Sequence, residues 1–176
     1  VPGTYDIETV HSSVGFEVRH LAISKVRGTF TDFNGTFDFT AGDPSSWSCE
    51  ATIQAASINT ENEDRDNHLR SADFFEVEKF PTLTFVSKAV EMSSETEGIL
   101  RGELTMHGVT RVVEFDFEFL GAATDPWGNE KTGFTATTEI NRKDFGLTWS
   151  KTLETGGLVV GDEVKITLDI EGTKQK

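Results

Sequence analysis

Alternation of apolar and charged residues is the feature that most restricts how this chain can fold. In the clearest run, Phe115 and Phe117 alternate with Glu114, Asp116 and Glu118. Successive side chains of a β-strand point to opposite faces, so this run predicts a strand with one buried and one solvated face. The same period recurs in residues 4–8, 14–20, 26–30, 37–39, 51–55, 83–85, 100–106, 113–119, 134–140 and 164–170.

These ten segments predict an all-β protein. Long antiparallel strands that each bury one face close into a barrel or stack as a sandwich, and we interpret some segments as halves of one bent strand. Gly15, Gly28 and Gly102 lie within strands, as is typical of a strongly coiled barrel. No linker or repeat divides the sequence, which predicts one domain over residues 1–176.

Two local signals concern the connections between strands. Thr60 to Glu63 has the spacing of a helix capping box and opens a polar stretch, which predicts a short surface helix from about Glu61 to Ser71. Oppositely charged residues four positions apart support that helix, namely Glu61 with Arg65, Asp64 with His68 and Asp66 with Arg70. Asn34-Gly35 predicts a hairpin turn, although Asn34 also begins a glycosylation sequon.

The charge of the chain restricts its partners. It has 30 acidic and 16 basic residues, a formal net charge of −14. Such a field repels the phosphates of nucleic acids and of anionic lipid surfaces. We therefore expect neither nucleic-acid binding nor electrostatic docking to membranes.

Motifs for catalysis and metal binding are missing from the sequence. It contains no nucleophile elbow, HExxH or phosphate-binding glycine loop, and its single cysteine, Cys49, is expected to be a small buried apolar residue. His11 and His20 are an odd number of positions apart, so they face opposite sides of an unbroken strand. The residues predict no enzyme and no metal site, and a metal-dependent hydrolase is the third interpretation.

Phenylalanine dominates the aromatic residues and is the strongest positive feature. The chain has 14 Phe but only three Trp and one Tyr, a composition typical of a dry interior. An eight-stranded barrel can be filled by its own side chains or can hold one small ligand, and composition leaves both open. Exposed Trp47 and Trp127 would instead suit a secreted carbohydrate-binding domain, the second interpretation.

Several ordered motifs resemble the YceI-like family of polyisoprenoid-binding proteins. They include Tyr5-Asp6-Ile7, His11-Ser12, Phe16-Glu17-Val18-Arg19-His20, Arg65-Asp66-Asn67-His68-Leu69-Arg70-Ser71, Asp73-Phe74-Phe75, Met106-His107-Gly108, Asn141-Arg142-Lys143-Asp144-Phe145-Gly146 and Val160-Gly161-Asp162. The resemblance extends over nearly the whole chain.

The resemblance implies a lipocalin-like antiparallel barrel of eight strands with a short helical insertion. It implies a non-enzymatic role in binding, storage or transport of one long isoprenoid lipid, either a ubiquinone-type polyprenyl quinone or a polyprenyl phosphate, and no other cofactor. Family members are bacterial periplasmic or secreted proteins, and a homodimer is left open. The start at Val1-Pro2-Gly3 fits a mature exported chain or a domain of a longer protein.

The side of each strand that faces the ligand follows from alternation. It predicts a wall of Phe16, Val18, Phe30, Phe37, Phe39, Ile53, Phe85, Leu104, Phe115, Phe117, Phe134, Ile166 and Leu168. For the charged motif residues Arg65, Asp66, Arg142 and Asp144, we favour buried ion pairs that hold the helix over one end of the barrel, without contact to the ligand.

Overall fold

The computed structural model describes residues 3–21, 23–150 and 160–176, and these contain eleven strands and one α-helix. The strands are β1 Gly3–Ile7, β2 Ser13–His20, β3 Ser24–Phe30, β4 Phe33–Phe39, β5 Ser48–Gln54, β6 Ile58–Asn59, β7 Thr82–Met92, β8 Glu97–Met106, β9 Val109–Thr124, β10 Glu130–Asn141 and β11 Val160–Lys174. The helix, α1, is Glu63–Arg70. No helix within the described residues is both long and apolar enough to cross a membrane.

The strands form one closed antiparallel ring. Its order is β1, β4, β5, β7, β8, β9, β10 and β11, and β11 pairs again with β1. The remaining strands β2, β3 and β6 continue β1, β4 and β5 beyond bends. β1 and β2 pair with the same edge of β11, and the 3-10 turn Thr9–His11 separates them. The predicted eight-stranded barrel with a short helix is confirmed.

The Asn34-Gly35 hairpin prediction is wrong, because both residues lie inside β4. Gly35 pairs with Ala51 of β5, and a Cβ on Gly35 would lie 2.6 Å from the carbonyl oxygen of Glu50. Glycine is therefore required at this position by the close approach of two strands rather than by a turn.

The helix begins two residues later than its sequence signal suggests. The Asn62 side chain caps it by accepting from the Arg65 backbone N–H at 3.0 Å. Thr60 bonds instead to buried Asp66, whose Oδ1 accepts from the Thr60 backbone N–H at 2.9 Å and from its hydroxyl at 2.5 Å. None of the three predicted charge pairs forms within the described residues. Arg65 and Asp66 bond to Thr60, Arg70 donates to carbonyl oxygens before the helix, and His68 lies 2.8 Å from Asp73 after it.

The barrel has two differently built ends. At the helix end lie α1, the turn at residues 107–108 and the segment 142–150. At the loop end lie the connections 40–47, 93–96 and 125–129. Between them the inner face of β9 is buried, with Phe115 4% and Phe117 8% exposed, while Glu114 and Asp116 are exposed.

Candidate ligand-binding cavity

A cavity of about 230 Å³ runs along the inside of the barrel. For comparison, an engineered cavity of about 150 Å³ lined by apolar side chains takes up benzene. Most side chains that line it are apolar, because most polar residues of the strands point outward. Such a space has room for an apolar group and offers almost no hydrogen-bonding partners to a polar one.

Most of the predicted wall lines this cavity. The eleven residues placed there are Phe16, Phe30, Phe37, Ile53, Phe85, Leu104, Phe115, Phe117, Phe134, Ile166 and Leu168. Phe39 lies beyond the cavity in a cluster at the loop end, and Val18 lies on β2 between Val26 and Val164. Parity assigned the inner side of the strand, but it could not show how far along the barrel the cavity extends.

Further lining residues were not predicted. The apolar ones are Ile7, Val14, Phe33, Trp47, Cys49, Ala51, Leu83, Val90, Leu100, Met106, Ala136, Ile140, Leu147, Val164 and Ile170, and the cavity is also bordered by Gly15, Asp38, Ser48, Glu50 and Arg142. Several alternate in step with predicted neighbours, as Leu83 does with Phe85, so the sequence contained the signal for them. Trp47 and Arg142 had no such signal, because the loops that carry them are shaped by tertiary contacts.

Arg142 closes the helix end of the cavity and is only 3% exposed. Its Nε donates to the carbonyl oxygen of Gly161 at 2.8 Å, and its Nη1 donates to those of Leu147 and Trp149 at 2.7 Å each. Its Nη2 lies 3.7 Å from Asp162 Oδ1. Burial lowers the pKa of the Arg142 guanidinium, and the Asp162 charge opposes that shift.

The predicted ion pairs among the charged motif residues are therefore wrong. Arg142 bonds mainly to backbone carbonyls, and Asp144 is exposed. Arg65 bonds to Thr60, donating from Nε to its hydroxyl at 2.8 Å and from Nη2 to its carbonyl at 2.7 Å. These side chains do hold the segments at the helix end together, but through backbone groups that a sequence motif does not reveal.

Aromatic rings close the loop end. Trp47 packs with ring centroids 5.1 Å from Phe39, 6.0 Å from Phe119 and 6.1 Å from Phe134. Trp47, Phe119 and Phe134 are half-buried, whereas Phe39 is 4% exposed. We call these four residues the aromatic cluster.

Cys49 lies on the cavity wall near this cluster, opposite Phe37 in the ladder between β4 and β5. Burial raises the pKa of the Cys49 thiol to about 11. A thiol with so high a pKa is almost entirely protonated at neutral pH, which fits the predicted apolar role better than that of a nucleophile.

The other chemical candidates lie outside the cavity. Trp127 is 82% exposed in a turn, whereas Trp47 packs against phenylalanine rings, so the predicted pair of exposed tryptophans is reduced to one. At the bend between β1 and β2, His11 Nδ1 lies 3.0 Å from Glu8 Oε1 and 3.2 Å from Glu171 Oε2. The second oxygen of Glu8 pairs with the Lys131 ammonium, so this corner already contains a cation.

The chain is similar to known proteins in both sequence and fold. The YceI-like domain matches residues 5–172. A UPF0312 protein of Staphylococcus aureus strain MSSA476 is 40% identical over 168 residues, which cover 95% of this chain and 95% of that protein. A Campylobacter jejuni YCEI protein superposes with a TM-score of 0.78 at 35% identity, over 90% of each chain.

A more distant likeness concerns the fold alone. A polyisoprenoid-binding domain from Saccharophagus degradans superposes with a TM-score of 0.72 at 15% identity, over 97% of this chain and 98% of that domain. The family match, the sequence relatives and the barrel fold all agree with the resemblance seen in the motifs. The chain belongs to the YceI-like domain family.

Proposed function

We propose that this protein binds the hydrocarbon chain of a polyisoprenoid lipid inside its barrel and stores or carries it without chemical change. The observation that carries the proposal is the apolar cavity walled by Phe115, Phe117 and their neighbours. Transfer of apolar surface out of water is favourable by roughly 25 cal/mol per Å², and a chain of isoprene units has no polar group to leave unpaired in such a wall.

A structural neighbour supports the ligand class. The Saccharophagus degradans domain, which shares the fold at 15% identity, is a polyisoprenoid-binding domain. We further propose that the lipid carries either a quinone or a phosphate head group, and that the protein acts in the periplasm or outside the cell. The carbohydrate-binding alternative is not favoured, since Trp127 is exposed but Trp47 is half-buried and packs against phenylalanines.

Extraction of the purified protein with organic solvent, followed by mass spectrometry, tests this function. We expect a prenyl lipid at close to one per chain. Phe117→Asp should lose the lipid, because it places a charge in the apolar wall. Val112→Asp is the matched control, since it introduces the same charge on the outer face of the same strand, where Val112 is 63% exposed.

Circular dichroism of each variant shows whether the barrel is folded. An empty extract from the folded native chain would contradict the proposed function. Equal lipid content in the folded Phe117→Asp and Val112→Asp proteins would contradict the assignment of the inner wall.

A further inference from the structure

The hairpin of β2 and β3 carries a charge opposite to that of the whole chain. Residues 17–27 contain three cations, Arg19, Lys25 and Arg27, and one carboxylate, Glu17. Their formal charge is +2, whereas the net charge of the chain is −14. The acidic residues that dominate the chain therefore lie elsewhere, and the net charge does not describe this part of the surface.

Strand pairing gathers these four side chains on the outer face of the hairpin. Arg19 is opposite Lys25 in the ladder, and Glu17 is opposite Arg27. Side chains alternate between the two faces of a strand, and the neighbouring Phe16 lines the cavity. Since Arg19, Lys25 and Arg27 are all exposed, the three cations form one solvent-facing group.

The cations of this group are only partly neutralised. Arg19 and Lys25 are like charges in directly opposite positions, an arrangement that is unfavourable in a sheet. The Glu17 carboxylate lies 2.9 Å from Arg27 Nε and 3.6 Å from Lys25 Nζ. Within the described residues, the ion pairs of this hairpin involve Lys25 and Arg27 but not Arg19. An anion placed between Arg19 and Lys25 would relieve their repulsion.

The turn between the two strands presents an aliphatic side chain to solvent. Ile23 is 84% exposed, the highest value among the large apolar side chains that the structure describes. The turn is hydrogen-bonded, because the Ile23 backbone N–H and the Ser24 hydroxyl both donate to the His20 carbonyl oxygen, at 3.3 Å each. His20 pairs with Val160, so the turn lies at the helix end of the barrel.

We propose that this hairpin docks the protein on an anionic lipid bilayer, with Ile23 at the boundary of the acyl chains and the three cations among the lipid phosphates. A bilayer places an apolar layer directly beneath anionic head groups, which matches an aliphatic turn followed by cations. Nucleic acids and acidic protein surfaces offer anions without that apolar layer. The Arg19 guanidinium suits phosphate in particular, because its planar fork can donate two hydrogen bonds to it.

This docking goes beyond lipid binding in the cavity and differs from the expectation drawn from the net charge. At an ionic strength of about 0.1 M the Debye length is about 10 Å, so acidic residues farther than this from the bilayer are largely screened. The hairpin cations touch the head groups and are screened least. We expect docking at about this ionic strength and its loss in concentrated salt.

Vesicle flotation at this ionic strength tests the role of the cations. The native chain should float with vesicles that contain equal amounts of phosphatidylcholine and phosphatidylglycerol, but not with phosphatidylcholine alone. Each cation near an anionic surface raises the partition coefficient about fivefold, so Arg19→Gln with Lys25→Gln should lower it about 25-fold. Lys88→Gln with Lys176→Gln is the matched control, since both lysines are exposed and the change in net charge is the same. It should lower the coefficient less than about twofold.

A second pair of variants tests the aliphatic turn. Ile23→Ser should lower the partition coefficient several-fold, because a serine side chain gains little from the acyl boundary. Val112→Ser, at the exposed Val112 on the outer face of β9, should leave the coefficient unchanged. Circular dichroism shows that each variant is folded.

A fluorescent label locates the contact independently. In a Cys49→Ser background, a nitrobenzoxadiazole label on Ser24→Cys should brighten several-fold with the mixed vesicles. The same label on Ser94→Cys, in the exposed connection 93–96 at the loop end, should not respond.

The outcomes decide between the bilayer and other partners. Equal losses in the two charge variants, or a response of the label at position 94 alone, overturn docking through this hairpin. Binding that Ile23→Ser leaves unchanged overturns the insertion of the turn. Retention of the native chain on heparin without any binding to the mixed vesicles overturns the bilayer as the partner. None of these results depends on the lipid content of the cavity, which solvent extraction measures separately.

Discussion

The two ends of this barrel reach closure by different physical means. At the helix end, Phe145 and Leu147 are 2% and 4% exposed, and Arg142 bonds the surrounding carbonyl oxygens. At the loop end, Trp47 and Phe119 are half-buried, and ring contacts dominate. Hydrogen bonds to a charged group contribute about 1.5–3 kcal/mol and depend on direction, whereas an aromatic pair contributes about 0.5–1.5 kcal/mol beyond its burial and tolerates rearrangement.

The two ends of the barrel therefore have different properties. Directional bonds hold the helix end in a single arrangement, so this end supplies stability. Ring contacts at the loop end can be exchanged for contacts to a hydrocarbon chain, so we expect this end to rearrange more readily.

Arg142→Met should lower the free energy of unfolding by about 3–5 kcal/mol, because buried carbonyl oxygens lose their donor. Urea denaturation measures this change. Arg111→Met is the matched control, since Arg111 is exposed and, among the described residues, donates only to the Asp144 carbonyl oxygen, at 3.1 Å. It should cost less than about 1 kcal/mol. Equal losses in the two variants would show that the helix end is not held by Arg142.

Cys49 reports on access at the loop end. With a thiol pKa of about 11, only on the order of one molecule in 1,000 carries the thiolate at pH 8, so alkylation by iodoacetamide should be slow. The double variant Ser48→Cys, Cys49→Ser moves the thiol to the adjacent exposed position. Its alkylation, followed by mass spectrometry, should be on the order of 100-fold faster. Similar rates would mean that the cavity wall at Cys49 is open to water.

Alternation predicted the strands and their buried faces well, because it is a local property, whereas the choice of an eight-stranded barrel over a sandwich came from the family resemblance. Phe115 and Phe117 face inward and Glu114 faces outward, as their parity requires. The sequence also indicated that some segments are halves of one bent strand, but it did not identify which segments these are. The helix begins two residues later than predicted because Thr60 bonds to Asp66 instead of capping the helix. Local capping signals do not contain that information.

The candidate site was only partly predictable. Parity identifies which face of a strand is buried, so eleven of the thirteen proposed wall residues lie along the cavity. The closure of the ends was not predictable, since Arg142 bonds to carbonyl oxygens at residues 147, 149 and 161, and Trp47 reaches rings on β9 and β10. Contacts between segments distant in sequence leave no periodic pattern.

The polar corner between β1 and β2, formed by Glu8, His11 and Lys131, should contribute less to stability than the hydrogen bonds of Arg142, because it lies nearer to solvent. The Lys131 ammonium lowers the pKa of Glu8 to about 2 by a hydrogen bond. A depressed carboxyl pKa stabilises the folded state above the ordinary value of 4.5, and this contribution is lost as the pH falls toward 2.

Glu8→Gln should therefore have a slightly lower melting temperature than the native chain at pH 7. The difference in melting temperature should disappear between about pH 4.5 and pH 2. Thermal unfolding across this range measures it. Asp116→Asn is the control, since Asp116 is exposed on the outer face of β9. A difference in melting temperature for Glu8→Gln that is independent of pH would show that the Glu8 charge does not contribute to stability.

Hydrogen–deuterium exchange at the two ends tests the central claim most directly. The reporters are the Trp47 amide, bonded to the Pro44 carbonyl oxygen, and the Leu147 amide, bonded to that of Arg142. In the lipid-free protein, the Trp47 amide should exchange much faster than the Leu147 amide, and geranylgeraniol should change exchange in residues 40–47 while leaving Leu147 unchanged. Faster exchange at Leu147, or a lipid response confined to the helix end, would contradict the account.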